Sequence, residues 1–194
     1  GRRGDISLGN SFSTAVFTDV TIKGTADVKG NVFGGGEAGM VKHNTNVKMA
    51  GGNVGNDIYG GGDMADVGGN TTLTLTGGTI TNDAYGGAKG RENIAAGVGG
   101  NVLVDLNGTS GTTTDSDGNT VITSNPVDKT AKGCVVKRVF GANNVNGTPK
   151  GHVLVHVHGT QNKDLANIGT KSTAANVYDV DYVFGGGNAS DYVR

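Results

Sequence analysis

A parallel β-helix (β-solenoid), all-β, of about five coils of ~26 residues with two loop insertions on one side, is the fold this sequence predicts. Three observations predict it. The chain holds 24 Val against 7 Leu among its 194 residues, and branching at Cβ costs side-chain freedom in a helix while suiting a pleated surface. An aromatic-glycine motif recurs at Val32-Phe33-Gly34-Gly35-Gly36, Ile58-Tyr59-Gly60-Gly61-Gly62, Ala84-Tyr85-Gly86-Gly87-Ala88, Val139-Phe140-Gly141-Ala142-Asn143 and Val183-Phe184-Gly185-Gly186-Gly187. Each copy follows an alternating stretch that ends in glycine: Val20 to Gly24, Val47 to Gly51, Leu73 to Gly77, Val104 to Gly108 and Val155 to Gly159. The 37 glycines cluster between these alternations, and a net charge of −1 gives no self-repulsion to hold the chain open.

The aromatic residues are 26, 26, 55 and 44 residues apart, while the step from each to the next strand-ending glycine is 18, 18, 23 and 19. Length variation is therefore gathered in one arc. Turns of ~26 residues returning above themselves at ~4.8 Å complete a parallel ladder, whereas a propeller blade is longer and hairpin-linked. Residues 1–18 do not fit the repeat and are expected to be an N-terminal cap or arm, leaving 19–194 as the solenoid domain. The first residue is Gly1, and Arg194 falls within a repeat. Both suggest an excised piece, continued in a parent chain or completed by a neighbour.

Alternate strand residues face opposite sides. One parity reads Val20, Val47, Leu73, Val104, Val155 with Ile22, Met49, Leu75, Leu106, Val157, and is expected to be core. The other reads Thr21, Lys48, Thr74, Asp105, His156 with Lys23, Ala50, Thr76, Asn107, His158, and is expected to face water. The aromatics should stack as a ladder whose area offsets a core thinned by glycine. Cys134 has no partner for an internal disulfide and, before Val135 and Val136, suits a small buried side chain.

Aromatic-Gly-Gly-Gly, an alternating strand, then Gly-Gly-Thr-Ile, as in Leu75-Thr76-Gly77-Gly78-Thr79-Ile80, resembles the glycine-rich β-helical repeat regions of bacterial cell-surface adhesins and autotransporter passengers. The resemblance covers about residues 19 to 187. It implies secretion or surface display and supplies no catalytic residues.

The insertions, about 109–134 and 160–178, should leave neighbouring coils at one corner, and insertions on one face of a repeat protein often build its binding surface. The first contains Thr112 to Val121, which reads as a β-hairpin with a glycine turn. Candidate glycan- or protein-binding groups are Asp115, Asp117 and Asn119 there, and Asn162, Lys163, Asp164 and Tyr178 in the second. These are also the groups of any solvated loop.

Several classes fall away. No basic stripe exists to release counterions from phosphates, which excludes a nucleic-acid binder. No apolar stretch approaches the ~20 residues of a membrane span. Asp115-x-Asp117-Gly118-Asn119 lacks the closing bidentate Glu of a calcium loop, so calcium would have to come through scattered Asp63, Asp66 and Asp83. His156 and His158 share one strand face and are candidate transition-metal ligands, the alternative being a solvated face. Asp105 should lie one coil from His156. The leading expectation is a non-enzymatic, secreted or cell-surface structural segment that self-associates end to end or joins further repeats of a parent chain. The alternative is a polysaccharide lyase or hydrolase of β-helix type, using Asp105, His156 and Lys48.

Overall fold

In the computed structural model, residues 15–128, 131–161 and 179–189 are described. Their regular elements are all strands: β1 (Thr18–Ile22), β2 (Asp27–Val28), β3 (Val32–Phe33), β4 (Thr45–Val54), β5 (Ile58–Tyr59), β6 (Thr71–Ile80), β7 (Asp83–Tyr85), β8 (Val102–Leu106), β9 (Gly108–Thr114), β10 (Thr120–Pro126), β11 (Cys134–Phe140), β12 (Val153–Val157) and β13 (Val180–Phe184). Eleven strands join one sheet, while β9 and β10 form a separate antiparallel pair. Every named pairing in the large sheet is parallel. The chain is thus all-β, with no helix among the described residues and a large parallel sheet.

The registers reproduce the sequence columns. Val20 pairs with Val47, Val47 with Leu73, Leu73 with Val104 and Val104 with Val155, and the Ile22, Met49, Leu75, Leu106, Val157 column follows the same partners. Val47, Met49, Leu73, Leu75, Val104 and Leu106 are buried and share one core. Val157 departs from expectation: it is 43% exposed, because β12 pairs only with β8 and no described strand lies beyond it.

Strands β4 and β6 do not end at Gly51 and Gly77 as the alternation suggested; they run on through the next glycine. The β4–β6 register shifts there, and Gly52 and Gly78 take φ of +81° and +91°, a region nearly closed to side chains. The bend then starts a third wall, in which Val28 pairs with Val54 and Val54 with Ile80. A further wall is made by isolated parallel bridges linking Val41, Val67, Val98 and Pro149.

The aromatic column is a continuous stack. Phe33, Tyr59, Tyr85, Phe140 and Phe184 follow one another at centroid distances of 4.8, 4.9, 4.9 and 4.8 Å, with interplanar angles no larger than 13°. Ring spacing equals the strand repeat, so aromatic packing and backbone pairing reinforce each other. Tyr59 is closed off further by Asn144 Nδ2, which donates to its hydroxyl at 2.7 Å, while that hydroxyl donates to Asp57 at 3.0 Å.

The residue after each of the first four rings must be glycine because of the neighbouring strand. A β-carbon on Gly34, Gly60, Gly86 or Gly141 would come closer than 3.0 Å to the carbonyl oxygen of Gly60, Gly86, Gly141 or Gly185 respectively. The amides there all point one way, Gly34, Gly60, Gly86 and Gly141 donating to the carbonyls of Tyr59, Tyr85, Phe140 and Phe184 at 2.8–2.9 Å. Buried Thr45 and Thr71 close the corner from inside, their hydroxyls donating to the carbonyls of Gly60 and Gly86 at 2.6 and 2.8 Å.

Side-chain ladders bind the outer corners. Asn44 Oδ1 accepts from the Asn70 amide, Asn70 Oδ1 from the Asn101 amide, and Asn101 Oδ1 from the His152 amide, at 2.8–2.9 Å. Asn31 and Asp57 similarly accept from the amides of Asp57 and Asp83, each 26 residues on. Arg138 then takes the Asp83 carboxylate in a two-pronged pair at 2.9 and 2.5 Å, a geometry that fixes orientation as well as charge.

Candidate functional site

The first insertion folds as the expected hairpin, β9 pairing with β10 from Thr114↔Thr120 down to Gly108↔Pro126. Its tip is held by Asp115, whose Oδ1 accepts from the amides of Asp117 and Asn119 at 3.0 and 2.8 Å, and Gly118 takes φ +83°. Side chains that bond their own backbone in this way favour turns over strands. These bonds, led by that from Asn119, hold the Asp115 carboxyl below its ordinary pKa. Of the tip residues expected to bind a ligand, Asp115 is thus engaged within the turn.

Asn107 sets the hairpin on the sheet. It has φ +59°, the one described non-glycine residue with positive φ, and it is fully buried. Its Oδ1 accepts from the Cys134 amide at 2.8 Å, its Nδ2 donates to the Gly159 carbonyl at 2.9 Å, and its carbonyl accepts from the Val127 amide at 3.1 Å. One side chain and its backbone thereby clamp both ends of the hairpin insertion and the strand above. At the root of the second insertion, Gln161 donates from Nε2 to the Lys132 carbonyl and exchanges bonds with Asp179. The two insertions therefore have adjacent roots. Asn162, Lys163, Asp164 and Tyr178 lie outside the described residues, as do residues 1–14.

The hairpin overturns the expectation that Asp105, Asn107 and His158 face water. Asp105 is only 2% exposed, and the His158 side chain is likewise nearly buried. Thr21 and Lys48, on the same parity beyond the hairpin's reach, remain exposed. Under the hairpin a connected polar cluster forms. His158 Nε2 lies 3.0 Å from Asp105 Oδ1, His156 Nδ1 lies 3.5 Å from the same oxygen, and Ser110 Oγ bridges Asp105 Oδ1, at 2.6 Å, to His156 Nδ1. The Ser110 amide donates to Asp105 Oδ2 at 2.9 Å, and Ser124 Oγ lies 2.5 Å from His158 Nδ1. Burial acts to raise the Asp105 pKa, but hydrogen bonds from Ser110 and His158 outweigh it and hold the carboxyl below its ordinary value. A shallow groove lined by Ser110, Ile122, Ser124, His156 and His158 opens above.

Asp105, His156 and His158 are the one group of three potential metal-ligating side chains gathered among the described residues, their donor atoms all within 4.8 Å of one another. Of the two histidines, His158 is covered, while His156 keeps 26% side-chain exposure at the groove. Lys48 is not brought to them: its register partner is Thr74, and Thr74 in turn pairs with Asp105, which puts it two ladder steps, ~9.6 Å of backbone, away. The scattered aspartates are also apart. Asp63 is paired with Lys89 and Arg91, Asp83 with Arg138, and Asp66 accepts from the Gly97 amide. The alternation in Val155-His156-Val157-His158 put both imidazoles on one face, but nothing local signalled that Ser110 and Ser124 would close over them.

No family model, curated protein or solved structure gave a match to the chain.

Proposed function

We propose that the chain is a structural segment of a parallel β-solenoid, secreted or displayed on a cell surface, that stacks end to end with copies of itself. About five coils of ~26 residues fit the stacked parallel registers and the continuous aromatic ladder. The observation that carries the reading is the last glycine corner. Gly34, Gly60, Gly86 and Gly141 are glycine because the next layer's backbone fills the β-carbon position, yet among the described residues nothing lies within 4 Å of that position at Gly185 or Gly186, and neither has positive φ. Their identity matches a layer stacked above. The two ends are also complementary: Val183-Phe184-Gly185-Gly186-Gly187 repeats Val32-Phe33-Gly34-Gly35-Gly36, and the uniform amide direction along this corner aims donors of one copy at carbonyls of the next. A head-to-tail contact of this kind does not close, and builds filaments. Phe184 and Tyr182, 42% and 61% exposed, would be covered by it. The secreted or surface location rests on the resemblance to adhesin repeats, and the hairpin side offers a surface for a glycan or a host protein.

Sedimentation velocity across a concentration series tests the reading. The wild-type chain should associate, and Gly185→Val should remain monomeric with an unchanged melting temperature, since a β-carbon there meets nothing among the described residues. A wild-type chain that stays monomeric, or a Gly185→Val chain that associates equally well, would overturn it.

The 3.5 Å approach of Asp105 and His156 favours one second reading, a β-helix lyase or hydrolase. Incubation with a polysaccharide panel separates the two: release of reducing or unsaturated ends supports the enzyme, and retention without release a binding module.

A further inference from the structure

We propose that Asp105, His156 and His158 form a binding site for a zinc-like divalent transition-metal ion, fastening β12 to β8. The donor set, two imidazoles and a carboxylate, suits zinc and its first-row neighbours; calcium and magnesium prefer oxygen alone. Four donors around zinc at ~2.0–2.1 Å stand about 3.3 Å from one another. Here Asp105 Oδ1 lies 3.0 Å from His158 Nε2 and 3.5 Å from His156 Nδ1. Two of the three separations thus already match those around a shared ion, and the third, between the donor nitrogens of the two histidines, is within 4.8 Å.

The surrounding bonds orient these donors as a metal site requires. In the metal-free chain Nε2 of His158 donates to Asp105; an ion would take the tautomer with the proton on Nδ1, where Ser124 Oγ, 2.5 Å away, accepts it and leaves Nε2 its lone pair. The Ser110 amide holds Asp105 Oδ2 and leaves Oδ1 for the ion. Ser110 Oγ, which bridges Asp105 and His156, is the group an entering ion displaces. His156, at 26% side-chain exposure, faces the open groove, so entry and a fourth ligand from water are available on that side. The register His156↔Asp105 explains the placement: the carboxylate on β8 and the first imidazole share one outward column, and His158, two residues on along the same face and just past β12, brings the second.

Zinc titrated calorimetrically into the full chain, with melting followed in parallel, tests the site. Zinc should bind one per chain and raise the melting temperature. His43→Ala/His152→Ala, which removes the other two of the four histidines, should bind as the wild type does. His156→Gln, at a part-exposed position, should fold normally and lose measurable binding. Ser124→Ala should weaken affinity by about 10-fold or more. Cobalt in place of zinc should give the visible absorption of a four-coordinate nitrogen and oxygen site in the wild type, and none in His156→Gln. Absence of zinc binding, binding unchanged in His156→Gln, or binding abolished by His43→Ala/His152→Ala would overturn the assignment.

Discussion

Tyr59 and Tyr85 lie face to face at 4.9 Å with their planes 7° apart, and both are essentially fully buried. Each ring packs against another from the strand on either side, so the column acts as a second core beside the aliphatic one. Removing a ring from its middle opens a gap that neighbouring layers, fixed at the strand repeat, cannot close. Tyr85→Ala should destabilise the chain by about 3–5 kcal/mol, while Tyr59→Phe, which forfeits the hydroxyl bonds to Asn144 and Asp57, should cost about 0.5–1.5 kcal/mol. Urea unfolding monitored by circular dichroism measures both.

The same two phenols make the fold sensitive to alkali. Burial pushes both pKa values well above the ordinary 10.0. The folded state therefore favours neutral tyrosine, and this contribution is fully present below pH 10 and declines as pH rises above it towards the folded values. Ultraviolet titration of the five tyrosines should show a fraction that ionises only together with unfolding.

Glycine positions divide into two classes by what lies above them. Gly60→Ala drives a β-carbon into the Gly86 carbonyl and should lower stability by several kcal/mol, as strained or overpacked cores do, while Gly185→Ala should leave monomer stability within about 0.5 kcal/mol of wild type. Thermal melts of the two variants side by side decide this.

Cys134 is completely buried, and burial pushes its thiol pKa up, with the Asp179 charge adding to the shift. Buried neutral thiols are inert. It should resist a thiol reagent in the native chain and react fully in denaturant; prompt native labelling would contradict the burial.

Asn107 combines a left-handed backbone with four hydrogen bonds, to Leu75, Val127, Cys134 and Gly159. Asn107→Gly keeps the backbone accessible and loses only the side-chain bonds, whereas Asn107→Ala loses both. Unfolding free energies should rank wild type, then glycine, then alanine, with hairpin amides exchanging faster in both variants.

Much of the sheet was legible because a parallel layer repeats the period-two code of the one below. Val47, Leu73 and Val104 had to face the same way, and rings 26 residues apart had to stack. What escaped was non-local. Asp105 and Asn107 occupy neighbouring outward columns, the first open at Lys48, that are closed here only because an inserted hairpin lies over them, and strand parity carries no sign of that cover. The Val41, Val67 and Val98 wall escaped because each layer contributes a single bridging residue there instead of an alternation, although Val67-Gly68-Gly69-Asn70 and Val98-Gly99-Gly100-Asn101 repeat visibly. The asparagine ladder ends those same motifs. Its signal was the recurrence of Asn44, Asn70 and Asn101 ahead of each alternating strand.

Head-to-tail stacking is tested most directly by cross-linking across the contact it creates. Tyr182 pairs with Arg138, and Arg138 with Asp83, at the upper end of the column that begins at Asn31. A copy stacked in register therefore sets its Asn31 over Tyr182 of the copy below, within the Cα separation a disulfide accepts. Mixing Asn31→Cys with Tyr182→Cys under mild oxidation should give the mixed disulfide dimer as the main product, with Cys134 buried and silent. No cross-link, or only dimers of each variant with itself, would contradict head-to-tail stacking.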